Sequence, residues 1–278
     1  MRINNNISSM HTQGALFQNN RAVGKDLEKL STGLRINRAS DDAAGLAVSE
    51  GLRTAVRGQT VAKRNALDGI SALNILEGSM NEIHNILQRQ RELAVQAATS
   101  TYDATERGYM DDEFVALRTE LTRIAGVTKF NNLDLFTTEA STSFNGGNLQ
   151  VDANAGGDNV ITVQLGDMTA GTIFTAIDAS TLDTAANASA AITSLDTVID
   201  LISGKRSDVG ALVNRLESTI NNLTVSITNQ QAAESQIRDV DFANQASKFT
   251  TNQILTQSAT SMLAQANAST QGVLSLLR

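Results

Sequence analysis

The chain contains no proline in 278 residues, and this absence constrains the fold more than any single motif. Proline is the strongest helix breaker, because its ring removes a backbone donor and clashes with the preceding turn. Average usage of roughly 5% would have placed about a dozen prolines here. Helices can therefore run unbroken over many turns. The aromatic content of only 4% disfavours one large globular core, since aromatic side chains supply much of the area buried in such cores.

Apolar residues recur every three or four positions near both ends of the chain, which is the spacing of one helix face. In the N-terminal segment this face contains Ile3, Ile7, Met10, Phe17, Leu27 and Leu30. In the C-terminal segment it contains Phe242, Phe249, Leu255, Met262, Leu263, Leu274 and Leu277. Two such helices paired alone would leave much apolar surface in water, and large exposed apolar patches usually mark partner contacts. We predict that these residues become buried between copies of the same chain.

Longer helical patterns lie between the two ends. From Asp42 to about Thr99 nothing breaks the helix strongly, and such a helix spans roughly 80 Å at 1.5 Å per residue. A shorter helix is expected at about 104–126. Over 192–227 the apolar residues follow the repeat of a coiled coil. The turn-rich segment 34–42 and the polar segment 229–239 are both expected to be joints.

The middle of the chain has a different composition. No lysine or arginine occurs between Lys129 and Lys205, which favours a solvated acidic surface over a cation site. Residues 149–151 and 160–163 alternate apolar and polar side chains around the sequence AGGD at 155–158. This pattern predicts a β-hairpin with a loop of several residues. We expect strands only between 138 and about 180.

These patterns predict a mainly α-helical fold. We expect long antiparallel helices that form a rod or coiled-coil bundle, with a terminal helical pair and a small β-hairpin region. In the predicted division of the chain, 1–41 and 236–278 form the two halves of an inner core, 42–137 and 184–235 supply the rod helices, and 138–183 is the hairpin and variable middle.

No group of residues indicates catalysis, a metal or a cofactor. The chain has no cysteine and two histidines, neither with a second ligand at a recognised metal spacing. The pairs Asp41-Asp42 and Asp111-Asp112 are typical of helix starts rather than of acid–base chemistry. A net charge of −7 disfavours nucleic-acid binding through a basic surface. No apolar run approaches the roughly 18 residues of a membrane span, so we predict no membrane insertion.

Ordered segments at both ends closely resemble bacterial flagellin. They are LSTGLRINRASDDAAGLAVSEGLR (30–53), LQRQRELAVQAA (87–98), KFNNLDLF (129–136), RSDVGALVNRLESTINNL (206–223) and IRDVDFANQASKFTTNQILTQSATSMLAQANASTQGVLSLLR (237–278). With the N-terminal helix, the resemblance covers nearly all of 1–136 and 184–278. It implies a secreted, non-enzymatic subunit that polymerises into the flagellar filament for swimming motility. The short middle indicates that large outer domains are absent.

The resemblance also implies how the subunit travels and what it meets. It would leave the cell unfolded through flagellar type III export, and its filament could be extracellular or periplasmic. The implied partners are further copies of itself, a flagellar export chaperone, the filament cap and hook-associated proteins. In flagellins sensed by the Toll-like flagellin receptor, the innate-immune contact patch matches Arg89, Leu93 and Glu113, flanked by Gln88 and Arg91. Arginine and glutamate on a long helix are equally typical of ordinary solvated surface.

Three other classes of protein fit the sequence less well than a filament subunit. A hook–filament junction protein, which is a hook-associated adaptor of few copies, shares the terminal architecture and is the nearest rival. A type III translocator would be expected to carry a membrane-spanning segment. An enzyme would need a catalytic constellation. The agreement through both rod segments favours the filament subunit.

Overall fold

A computed structural model describes residues 6–137, 143–166, 168 and 175–276, with the side chains of Ala176 and 270–276 left out. Its long helices are α1 (Ile7–Thr32), α2 (Ala43–Ala97), α3 (Ala104–Val127), α4 (Ala185–Arg238) and α5 (Phe242–Leu276). A single helical turn occupies Thr175–Asp178. The mainly helical fold class predicted from the sequence is confirmed. The chain divides into two compact units, Met1–Ala55 with Thr228–Arg278 and Val56–Ile227.

The second unit is built around α2, α3 and α4, which share one hydrophobic core. On α2 the core residues follow one another at alternating steps of three and four, as the coiled-coil repeat requires. Those on α2 are Leu73, Leu76, Met80, Ile83 and Leu87, and those facing them include Phe114, Leu121, Leu195, Ile202 and Leu216. Burying one such side chain contributes about 1.5–3 kcal/mol. The core therefore explains why helices of this length are stable in this unit.

Helix α3 begins with a capping box. The Asp103 carboxylate accepts from the backbone N–H of Glu106 at 2.8 Å, and the Glu106 carboxylate accepts from the backbone N–H of Asp103 at 3.1 Å. Two backbone donors that have no partner within the helix are thereby satisfied. The start of α2 uses the same chemistry, because Asp42 accepts from the backbone N–H of Gly45 at 2.9 Å.

The β-hairpin predicted in the middle of the chain is present, with its first strand shifted by one residue and its second strand ending one residue early. Strands β3 (Asn148–Gln150) and β4 (Val160–Thr162) pair antiparallel, with Leu149 opposite Ile161. The hairpin lies on α2 where two glycines remove side-chain bulk. A Cβ at Gly58 would lie 2.5 Å from the Cβ of Ala153, and one at Gly69 would lie 2.6 Å from a methyl of Leu149. The two glycines therefore allow the hairpin to pack closely against α2.

A second, smaller hairpin lies outside the region where strands were expected, so that expectation was wrong. Strands β1 (Lys129–Phe130) and β2 (Leu133–Asp134) pair around Asn131 and Asn132. Both asparagines have positive φ angles, 47° and 65°. Asparagine tolerates this left-handed backbone better than most residues, and the tightest two-residue hairpins need it at both turn positions.

The predicted joint at 229–239 was also wrong in extent. Helix α4 continues to Arg238, and only Asp239–Asp241 separate it from α5. The segment 229–238 contains no proline or glycine, and six of its ten residues are glutamine, alanine or glutamate. These residues are good helix formers, so polarity alone does not break the helix. The other joint, 34–42, does separate α1 from α2.

Candidate assembly surface and charged rod patch

Helix α1 packs along α5, yet none of its residues is buried. The predicted assembly residues Ile7, Met10, Phe17, Leu27, Phe242, Leu255 and Met262 keep between 46% and 67% of their surface exposed. Leu30, Phe249 and Leu263 are half-buried. Ile3, Leu277 and the side chain of Leu274 lie outside the described residues. The helical pair thus presents an apolar surface that the protomer itself leaves open to water, and we name these predicted residues the assembly stripe.

Covering the assembly stripe would release a large free energy. Full burial of one large apolar side chain contributes about 1.5–3 kcal/mol, and roughly half of that remains to be gained at a half-exposed side chain. Several such side chains together reach on the order of 10 kcal/mol before the entropy of ordering is subtracted. Exposed apolar patches of this kind usually mark sites of contact with another protein or with a membrane. Within the described residues no helix is long and apolar enough to cross a bilayer.

One polar contact within this helical pair was missed by the sequence analysis. Asp26 on α1 accepts hydrogen bonds from the side-chain amides of Gln245 and Asn252 on α5, at 2.6 Å and 2.7 Å. The available signal was the pair of amides spaced seven residues apart, which places both on one helix face. The spacing of apolar residues alone does not reveal this contact.

The two joints pair with each other through backbone hydrogen bonds. The N–H of Arg35 donates to the carbonyl of Arg238 at 2.7 Å, and the N–H of Val240 donates to the carbonyl of Gly33 at 3.0 Å. Gly33 ends α1 with a φ of 71°, a left-handed cap that glycine adopts without steric cost. The segments that leave α1 and enter α5 are therefore held side by side.

Asp41 organises the backbone of the first joint. Desolvation raises the pKa of its carboxyl, but hydrogen bonds from the backbone N–H groups of Arg38 and Asn37 and attraction to Lys29 outweigh this and leave the pKa below its ordinary value. The carboxylate accepts those bonds at 3.2 Å and 3.4 Å. Arg38 in turn pairs with Glu28 of α1 at 2.9 Å. The charged form of Asp41 thus supports this loop.

The residues that match the receptor patch of flagellins lie on α2 and α3. Arg89 joins the two helices through Glu113, with 2.9 Å between the guanidinium and the carboxylate, and it also contacts Glu92 at 3.2 Å. The hydrogen bond to Glu113, followed by that to Glu92, raises the pKa of Arg89. Arg89 and Glu113 remain about half exposed, at 50% and 45%. The pair is therefore both fixed in position and accessible.

The flanking residues of this patch differ in what they contact. Arg91 pairs with Asp196 of α4 at 2.6 Å. The side chain of Gln88 is hydrogen-bonded to His84 at 2.8 Å. Leu93 is only 3% exposed, so it packs in the core and does not offer surface of its own. Four of the five predicted contact residues, the two arginines with Gln88 and Glu113, are exposed.

No candidate metal centre is found in the described part of the chain. It holds no cluster of three or more histidine, cysteine or acidic side chains placed to bind a metal ion. Asp111, which the sequence analysis assigned to a helix start, instead accepts from the backbone N–H of Leu182 at 2.8 Å. The carboxylate thus joins α3 to the segment before α4.

Both ends of the chain match known protein families. Residues 3–141 match the bacterial flagellin N-terminal helical region, and residues 192–277 match the bacterial flagellin C-terminal helical region. A flagellin of Halalkalibacterium halodurans is 44% identical over 278 residues, and one of Bacillus subtilis is 44% identical over 304 residues. The flagellar filament 33 kDa core protein of Treponema phagedenis is 44% identical over 286 residues. Each alignment covers 100% of both chains.

Solved structures give the same picture. The crystal structure of Bacillus cereus flagellin is similar with a TM-score of 0.51 at 33% identity, over 62% of this chain and 94% of the other. A putative flagellar hook-associated protein from Vibrio parahaemolyticus has a TM-score of 0.60 at 12% identity, over 72% and 100% of the two chains. At that identity the second likeness concerns the fold alone.

Proposed function

This chain belongs to the bacterial flagellin family, and from that premise we propose that its assembly stripe is the surface through which it polymerises. The chain is a structural subunit of the flagellar filament and not an enzyme. The observation that carries the proposal is the paired α1 and α5, whose apolar side chains stay exposed in the protomer. A neighbouring copy supplies the cover that the protomer lacks.

Seeded elongation tests this proposal directly. Purified monomer mixed with filament fragments should extend them into micrometre fibres, whereas a hook–filament junction protein should add few copies and stop. Phe17→Ser on the assembly stripe should raise the critical monomer concentration at least tenfold. The loss of about 2 kcal/mol of burial free energy changes the equilibrium constant for adding a subunit by more than tenfold. Tyr109→Ser is the matched control, since Tyr109 is similarly exposed but lies on α3. Equal critical concentrations for the two variants would contradict the proposal.

We further propose the partners and location that the family implies. The subunit is exported through the flagellar type III channel and meets an export chaperone, the filament cap and hook-associated proteins on the way to its place in the filament. The extent of the likeness to flagellins supports these proposals. Co-purification of the full chain with each candidate, followed by release on filament growth, tests them one by one. Secretion of the chain into the medium by cells that lack flagellar export would contradict the export route.

A second function, recognition by the Toll-like flagellin receptor, is favoured by the exposed charged patch. Arg89 and Glu113 lie close together, half exposed, on neighbouring helices, with Gln88 and Arg91 beside them. In a receptor reporter-cell assay, Arg89→Ala and Glu113→Ala monomers should lose most of the response. Arg123→Ala is the control, because it also breaks an exposed arginine–glutamate pair, with Glu120, elsewhere on α3. No response to the unmutated monomer, or equal responses from all variants, would remove this function.

A further inference from the structure

The inner side of the α1–α5 pair holds one carboxylate whose two oxygens are bound by different amides. Gln245 donates to Oδ1 of Asp26 at 2.6 Å, and Asn252 donates to Oδ2 at 2.7 Å. Gln245 is 7% exposed, while Asp26 and Asn252 are half-buried. The group therefore lies between the helices and not on the outer surface of the pair.

The positions of these residues agree with a single antiparallel register of the two helices. Asp26 lies opposite 245–252, and the side chain of Asn6, twenty residues earlier on the chain, donates to the carbonyl of Ala266 at 3.0 Å. Two contacts separated by five to six helical turns thus report the same alignment. The hydrogen bonds fix which turn of α5 lies beside which turn of α1.

Apolar contacts alone would not fix that alignment. Hydrophobic burial has no directional preference, and a slip of seven residues brings one apolar face back onto another. After such a slip towards the C-terminus, Asp26 would face Asn252 and Ala259, and an alanine side chain cannot donate a hydrogen bond. Gln245 would then lose its partner and one carboxylate oxygen would be bare. An unpaired buried polar group is costly, so the slipped alignment is disfavoured.

We propose that Asp26, Gln245 and Asn252 form a register pin that sets the alignment of α1 against α5. The inference rests on the proposed polymerisation through the assembly stripe, because the alignment of the two helices determines how their exposed side chains are presented to the next copy. Asp26 is a positioning residue, because it acts through the alignment of the two helices. The partner that reads the alignment is a second copy of this chain. A single polar position can specify register in this way in coiled coils, at some cost in stability.

An exchange of the acid and one amide tests the contact itself. Asn252→Asp places two carboxylates together and should raise the critical concentration for seeded elongation at least tenfold. Adding Asp26→Asn should return it to within about threefold of the wild-type value, because the amide introduced on α1 can donate to the carboxylate introduced on α5, and its oxygen can still accept from Gln245. A double variant that elongates no better than Asn252→Asp alone overturns the pin.

A second variant separates register from mere adhesion. The triple variant Asp26→Leu, Gln245→Leu, Asn252→Leu replaces the polar group by apolar side chains, which should leave elongation intact. Electron microscopy should then find more than one subunit lattice, while Asn244→Leu, an exposed neighbour of the pin, keeps the single wild-type lattice. A triple variant with only the wild-type lattice overturns the pin. Failure of the wild-type chain to elongate would instead overturn the proposed function.

Discussion

The contact between α2 and the hairpin can be tested by substituting three glycines of α2, because these glycines differ in what lies next to them. Gly58 touches Ala153 of the hairpin, and Gly69 touches the side-chain tip of Leu149. At Gly78, apart from the helix backbone and the two chain neighbours, no atom lies within 4 Å of the position that a Cβ would take. All three are helical, so replacement by alanine gains the same intrinsic helix propensity, about 1 kcal/mol. Any difference among the three variants therefore reports the contact.

The geometry predicts an order of stability. At Gly58 a new Cβ would lie 2.5 Å from the Cβ and 3.1 Å from the Cα of Ala153, so the hairpin backbone has to move. Overpacking of this kind costs about 1–3 kcal/mol. At Gly69 the obstacle is a leucine methyl at 2.6 Å, which can rotate away at lower cost. We expect Gly78→Ala to be the most stable variant, Gly69→Ala intermediate and Gly58→Ala the least stable.

Urea unfolding of the full-length monomer, followed by circular dichroism, measures this order. Gly58→Ala should unfold with a free energy about 1–3 kcal/mol below that of Gly78→Ala, at an unchanged dependence on urea concentration. Thermal unfolding should separate the two midpoints by several degrees, since about 1 kcal/mol corresponds to roughly 2–4 °C in a domain of this size. Equal stability of the two variants would refute the proposed contact between α2 and the hairpin.

Three further predictions concern the core, the termini and the first joint. Leu76→Ala should lower the free energy of unfolding by about 2–5 kcal/mol, whereas Leu67→Ala, at a 46% exposed position of the same helix, should cost under about 1 kcal/mol; equal losses would contradict the assigned core. Deletion of 242–278 should abolish seeded elongation while circular dichroism still reports a helical rod, and fibres from the truncated chain would contradict the role of α5. Because folding lowers the pKa of Asp41, its contribution to the free energy of unfolding is present above the unfolded-state value of 3.8 and is lost as the pH falls through the folded-state pKa. Asp41→Asn should remove this acid-sensitive loss of stability and change the curvature of the filament. Filaments of unchanged shape and an unchanged response to acid would contradict this role of Asp41.

The helical architecture could be predicted because its cause is local and repeated. The steps of three and four on α2, from Leu73 to Leu87, predict both the helix and the face that it buries. The hairpin of β3 and β4 was foreseen from its alternating residues around a glycine-rich loop. The end of α4 was misplaced, because the polar composition of 229–238 was given more weight than its helix propensity. The turn at Asn131 and Asn132 was missed because strands of two residues carry almost no periodic signal.

The candidate functional surfaces also differ in how far the sequence could predict them. The residues of the assembly stripe follow from amphipathic spacing, and their role in polymerisation stays a prediction. The charged patch depended on resemblance, and spacing along one helix could not reveal that Arg89 reaches Glu113 of α3 or that Leu93 is buried. The Asp26 contacts join positions more than 200 residues apart in the sequence. The spacing of Gln245 and Asn252 places both amides on one helix face, but it does not identify Asp26 as the partner that they share in the folded chain.

The pairing of early with late residues has a consequence for how the molecule comes into being. Arg35 needs the carbonyl of Arg238, and Arg91 reaches Asp196 across 105 positions. Contacts between such distant positions form slowly, because the entropy of closing a long loop is lost before the contact stabilises the chain. A chain that leaves a narrow passage end-first cannot form these long-range contacts until the second residue of each pair has emerged, although contacts within the first half of the chain, such as that of Arg89 with Glu113, can form earlier. The hydrogen bonds between the two ends of the chain are therefore the last to become available, whichever end leads.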